Sequence, residues 1–191
     1  MTHFPALRTF CDHVSLIIRP MSPPAITVAA LVERQGRFLL VEEDISGALV
    51  FNQPAGHVEP GETLLQAVIR ETREETAWRL APEAFLGAYH WRHPGTGKAS
   101  LRFAFTGSVT DHHPDQPLDD GILRTHWLTR AELLALGARL RSPLVLRCVD
   151  DYLSGQRHAL TDVGRLDMNS AHGFQAVSVE NETQNVRLRV V

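Results

Sequence analysis

The sequence predicts an α/β fold in which a mixed β-sheet is covered by helices on both faces. Three observations carry this expectation. Runs rich in β-branched and apolar residues come in pairs joined by turn signals, as in ITVAALVER and RFLLVEED around Gln35-Gly36. One central segment has a helical hydrophobic period. Two more helical segments follow the last strand, so strands and helices are interleaved.

In chain order, MSPP at positions 21–24 is a cluster of breakers. Residues 1–24 therefore read as an N-terminal extension and 25–160 as the folded domain. After the first hairpin, ALVFNQPAG reads as a short strand running into a loop, because Asn52, Pro54 and Gly56 all discourage helix. The segment from about Thr63 to Ala77 is helical. EAFLGAYHWRH and SLRFAFTGSV read as strands joined by the turn HPGTGK, HHPDQPLDDG as a polar loop, and ILRTHWL as a short strand. TRAELLALGARL and SPLVLRCVDDYLSG are the closing helices, the second capped by Ser142 and stopped by Gly155. Residues 161–191 read as a tail or an extra strand.

Composition narrows the function classes. Hydrophobic residues at 43% and charged residues at 21% are ordinary globular values that allow a sizeable core. A net charge of −3 argues against a protein that coats a polyanion, and no nucleic-acid partner is expected. Cys11 and Cys148 lack metal-ligand spacing, which suits reduced thiols and a cytoplasmic setting, and among the histidines only the adjacent His112 and His113, in a polar loop, have a partner at ligand spacing. Arg8, Asp12 and Arg19 interrupt the N-terminus and argue against a signal peptide. No apolar run is long enough to span a membrane.

The chemistry concentrates in GHVEPGETLLQAVIRETREETAW, residues 56–78. At 100° per residue, Leu65, Val68, Ile69, Thr72 and Thr76 form a mostly apolar stripe. Glu71, Glu74 and Glu75 fall beside it at about 0°, −60° and 40°. Three glutamates and two arginines on a helix are commonly just a solvated face. That reading leaves the glycine- and proline-rich loop in front of the helix unexplained. A divalent cation site explains both, because hard cations take oxygen ligands and keep positions open for water and phosphate. The Gly56 carbonyl could complete such a shell.

These residues resemble the signature of the Nudix hydrolases. Gly56, Glu62, Arg70, Glu71, Glu74 and Glu75 stand at the signature's spacing, while Thr72, Ala77 and Trp78 replace an aliphatic, a glycine and an aliphatic. ITVAALVERQGRFLLVEE, LRFAF, LRSPLV and SGQRHAL extend the likeness over about residues 25–160 and point to the NudJ-type phosphatases of that family. The resemblance implies the Nudix fold, an α/β/α sandwich with a mixed sheet. It also implies hydrolysis of phosphoanhydride bonds in a small phosphorylated substrate, a nucleotide or pyrophosphate, with Mg²⁺ or Mn²⁺ as cofactor. By the same likeness Gly56, Glu71, Glu74 and Glu75 would be metal ligands, with the base among the glutamates or a water they orient. Arg70 would hold Glu71, and Glu62 would tie the loop to the helix through Arg70. A further acidic ligand would come from Asp120, with Asp119 the alternative, or the pair is simply a turn before a strand. Arg102, two residues after Ser100 on a strand, could reach a substrate phosphate or make a surface ion pair. Pro94 resembles a feature of ADP-ribose pyrophosphatases in the family, although the turn HPGTGK accounts for it equally well. ADP-ribose or ADP-sugar pyrophosphatase activity and a non-catalytic nucleotide-sensing module are the competing readings. Both monomer and homodimer are compatible with the sequence.

Overall fold

The computed structural model describes residues 23–163. Most of the expected N-terminal extension and C-terminal tail, with the extra strand read there, lies outside the described residues. The strands are β1 (Ala25–Arg34), β2 (Arg37–Ile45), β3 (Ala48–Asn52), β4 (Ala55–His57), β5 (Arg79–Arg92), β6 (Ala99–Thr110) and β7 (Ile122–Thr129). The helices are α1 (Leu64–Thr76), α2 (Arg130–Leu136) and α3 (Leu144–Leu153).

The sheet runs β3-β2-β1-β6-β5, with β4 added on β1 and β7 on β2. Only β1 and β6 pair in parallel, from Ala25↔Ser100 to Val32↔Gly107; the other pairs are antiparallel. The β1–β2 turn needs a left-handed backbone at both central residues, and Gln35 (φ 53°) and Gly36 (φ 75°) supply it. β1 and β2 pair only beside that turn, at Glu33↔Phe38 and Arg34↔Arg37. The two halves of the sheet therefore separate beyond it.

Alternation along β1 and β2 builds two cores. Val28, Ala30, Val32 and Leu39 pack with Ala67 and Val68 of α1 and Phe105 of β6. Leu31, Phe38 and Leu40 pack with Leu133 of α2 and Val145, Cys148 and Val149 of α3. Each fully buried Val, Leu or Phe among them contributes about 1.5–3 kcal/mol. Helices thus cover both faces, and the architecture is the expected α/β/α sandwich.

Three elements differ from the sequence pattern. β5 begins at Arg79, well before Glu83, because it is the edge strand and tolerates Pro82 through register shifts at Pro82/Ala84 and Phe85/Gly87. α2 ends at Leu136, where Gly137 (φ 53°, ψ −118°) turns the chain into a 3-10 segment at Gly137–Arg139. Ser142 does not cap α3. Pro143 occupies the cap position, and the Ser142 carbonyl accepts from the Val145 N–H (3.2 Å). Proline suits a helix start because it lacks the N–H that would otherwise need a partner.

The residues that depart from the family signature are each accommodated. The Thr72 hydroxyl donates back to the Val68 carbonyl (2.7 Å), and Trp78 stacks on His112 at 4.3 Å between ring centroids. Ala77 ends α1 in the left-handed region (φ 59°, ψ 13°) with its methyl buried. Ala77→Gly would relieve about 1–2 kcal/mol of backbone strain but forfeit about 0.8 kcal/mol of methyl burial and gain unfolded-state entropy. These effects nearly cancel, so denaturant unfolding should show little change. Ala77→Val, β-branched and bulkier, should cost at least about 2 kcal/mol in the same measurement.

Candidate active site

α1 starts with a reciprocal cap. The Gln66 N–H donates to the Thr63 hydroxyl (3.1 Å), and the Thr63 N–H donates to Gln66 Oε1 (2.8 Å). With its start fixed, the helix lays its acidic edge beside β4. Glu71 and Glu75 are 7% and 8% exposed, whereas the Glu74 side chain is 40% exposed.

In the structure, the positive charge among these glutamates is Arg70. Its Nε and Nη2 donate to the two carboxylate oxygens of Glu62 (3.1 and 2.6 Å). Nη2 also donates to the His57 carbonyl (3.0 Å), and Nη1 donates to both Glu71 Oε1 and Glu74 Oε2 (2.9 Å each). One guanidinium therefore fastens strand, loop and helix together, which a lysine's point charge could not reproduce. Glu62 above all, then Glu74 and Glu71, holds the Arg70 charge more firmly than in free arginine, and Arg70 in turn lowers the Glu62 pKa.

Glycine is required at position 56. A Cβ there would lie 2.1–2.2 Å from the carboxylate atoms of Glu71. Gly56→Ala should thus leave the fold nearly intact, because a side-chain end can move, yet displace Glu71 from its contact with Arg70. The expected result is at least a tenfold higher metal concentration for half-maximal activity, with a melting temperature close to the parent's.

Glu75 lies deeper and accepts from the Ala55 N–H (2.8 Å). Burial pushes its carboxyl up to about 8, opposed by the Ala55 hydrogen bond and reinforced by the charges of Glu43, Glu71 and Asp119. Burial likewise raises Glu71, with Arg70 opposing. Buried carboxyls that hold protons this tightly are what a site built for a cation looks like without its charge.

The acid that joins Glu71 and Glu74 is Asp119. Each of the three offers a carboxylate oxygen within 4.8 Å of the others. Asp120, the expected contributor, is not in this group. The difference goes with backbone docking: the Asp119 N–H donates to the Glu74 carbonyl (3.1 Å), which seats that residue on α1, although both aspartates are exposed. This all-oxygen donor set fits a hard divalent cation.

Arg102 is not a surface residue. It is 8% exposed on β6, and its Nη1 donates to Asn52 Oδ1 (3.3 Å) and Gln53 Oε1 (3.2 Å). Among the described residues no carboxylate lies within ion-pair distance of it, and Nε is buried without a partner. Gln53 is itself anchored, its Nε2 donating to the Val145 carbonyl (2.8 Å). The sequence pattern did not single out Asn52, Gln53 or Glu43 as polar neighbours of this arginine. Glu43 is coupled by charge to Arg102, Arg141 and Glu75. The only available signal was the polar pair Asn52-Gln53 inside an otherwise apolar strand end.

No helix of the described residues is long and apolar enough to cross a membrane. Residues 21–148 match the NUDIX domain family. Phosphatase NudJ of Escherichia coli strain K12 and that of Shigella flexneri are each 41% identical over 144 residues, covering 75% of this chain and 93% of those proteins. A solved NUDIX hydrolase from Nitrosomonas europaea superposes with a TM-score of 0.74 at 43% identity, covering 75% of this chain and 98% of that one. A MutT protein from Methanosarcina mazei Go1 superposes with a TM-score of 0.57 at 25% identity, covering 71% and 97%. The acid cluster, the arginine that fastens it and these likenesses lead to one conclusion: the chain belongs to the Nudix hydrolase family, a homologue of the NudJ phosphatases and a hydrolase of phosphorus anhydrides.

Proposed function

We propose that this chain is a Mg²⁺-dependent phosphatase, with Mn²⁺ able to substitute, acting on nucleoside tri- and diphosphates and releasing the terminal phosphate. The pyrophosphate of a thiamin pyrimidine precursor belongs to the same substrate range. The observation that carries this reading is the convergence of Glu71, Glu74 and Asp119 beside Gly56. The likeness to proteins named Phosphatase NudJ supports the choice of product. Cytoplasmic residence belongs to the same proposal, consistent with Cys148 being a buried free thiol.

Glu71, Glu74 and Asp119, with the Gly56 carbonyl and Glu75, would hold the metal. When bound, it would neutralise phosphate charge and acidify a water to make the nucleophile. The protein's own contribution is positional. Arg70 fixes Glu71 and Glu74 relative to the loop, Glu62 fixes Arg70, and the Ala55 N–H fixes Glu75. The base that takes the water's proton is one of these carboxylates or a water they orient. Arg102 offers its charge to a substrate phosphate.

The test is product analysis of purified protein against a panel of phosphorylated metabolites with Mg²⁺ or Mn²⁺. Orthophosphate released from nucleotides, and abolished by a chelator, is the expected result. AMP plus a sugar phosphate from ADP-ribose would replace this reading with the pyrophosphatase one. Calorimetric nucleotide binding without turnover would replace it with a sensing module.

A further inference from the structure

Arg73 stands among the glutamates of α1 in sequence, yet among the described residues it pairs with no carboxylate. Its partner is Gln116, in the loop between β6 and β7. Gln116 Nε2 donates to the Arg73 carbonyl (2.8 Å), and Arg73 Nε donates to Gln116 Oε1 (3.4 Å). Neighbouring loop residues fasten to the same end of the helix. The His113 N–H donates to the Ala77 carbonyl (3.0 Å), the Asp119 N–H donates to the Glu74 carbonyl (3.1 Å), and His112 stacks on Trp78. Carbonyls in the last turn of a helix have no later helical N–H to meet, so the loop supplies donors that the helix end lacks.

The loop is shaped to deliver these groups. The Gln116 N–H donates to the His113 carbonyl (2.9 Å), closing a turn with Pro114 where proline presets the backbone angle. The Asp119 carbonyl accepts from the Ile122 N–H (3.0 Å), so the backbone of Asp119 is held on both sides.

This anchoring works against electrostatics. Asp119 offers a carboxylate oxygen within 4.8 Å of oxygens from Glu71 and Glu74. It lies by the last turn of α1, the negative end of the helix dipole. Its charge opposes ionisation of both Glu71 and Glu75. An exposed loop aspartate among like charges turns to solvent unless its backbone is tied down.

We infer that Gln116 is a positioning residue for the metal site: with the His112–Trp78 stack it clips the loop to the end of α1 and so presents Asp119 to the cation. The inference rests on the metal-dependent reading of the acid cluster. It also brings Arg73 and Trp78, which are not among the ligands, into the same device. Groups that orient a ligand from outside the coordination shell alter metal affinity without touching the ion.

Binding of Mn²⁺ to the full chain, followed by the electron paramagnetic resonance of the free ion, tests this without turnover. Gln116→Met keeps the side-chain length and removes both side-chain hydrogen bonds, at a half-buried loop position where the fold tolerates change. The Mn²⁺ dissociation constant should rise about fivefold. In an Asp119→Asn background, where the positioned charge is gone, the same substitution should change it by less than about twofold. A residue that merely stabilised the helix end would weaken binding equally in both backgrounds. That result, or no effect of Gln116→Met in the parent, would overturn the inference and leave the metal-dependent reading intact. Unchanged affinity on Asp119→Asn alone would remove Asp119 from the site and overturn the inference as well. No Mn²⁺ binding by the unaltered protein would instead defeat the metal-dependent reading, and the inference with it.

Discussion

Glu74→Gln and Glu75→Gln should each lower the rate of phosphate release at saturating Mg²⁺ by about 10²- to 10³-fold. The substitution is nearly isosteric and its carbonyl oxygen can still accept from Arg70 Nη1 or the Ala55 N–H, so geometry is retained while charge is lost. The two variants should then diverge in stability. Glu74 is substantially exposed, and its replacement should shift unfolding by no more than about 0.5 kcal/mol. Glu75 is buried and costly to ionise, so its replacement should stabilise the metal-free fold above neutral pH. Activity surviving both changes would mean that the acid cluster is not the catalytic centre.

The second large effect is on stability as a function of pH in the absence of metal. Glu75 has a folded pKa of about 8 against 4.5 for an ordinary glutamate. A carboxyl with a raised folded pKa binds more protons folded than unfolded, so its favourable contribution is complete below about pH 4.5 and lost as pH rises towards 8. Glu71 is shifted in the same direction by burial. The lowered carboxyls, Glu42, Glu62 and Glu132, act below this window and in the opposite sense. Chelator-treated protein should therefore lose about 3–5 kcal/mol between pH 5 and pH 8.5. Added Mg²⁺, which displaces the protons, should restore more stability at pH 8.5 than at pH 5. Paired urea titrations at the two pH values measure this, and a flat metal-free profile would show that the buried carboxyls are not strained.

Much of the site is legible in the sequence because it lies on one helix. Helical period alone puts Glu71, Glu74 and Glu75 on a common edge, and Thr63 with Gln66 starts the helix where the pattern places it. What the sequence could not convey depends on tertiary contact. β4 is three residues, Ala-Gly-His, with no strand propensity; it is a strand only because β1 offers it a partner at Val28↔Gly56. Asp119 rather than Asp120 enters the cluster together with a backbone hydrogen bond to Glu74, which no spacing rule contains. Arg102 alternates with Phe103 and reads as a solvent-facing position, but both faces of β6 are covered and the side chain is largely buried. Ser142 looks like a helix cap until Pro143 takes the position.

Arg70 makes the same kind of contact with three carboxylates and a carbonyl before any ion arrives. Much of the entropic penalty of gathering those acidic groups is thereby met during folding. Cation entry then amounts to an exchange of electrostatic partners at a rigid address, so capture should be fast and nearly free of ordering heat-capacity change.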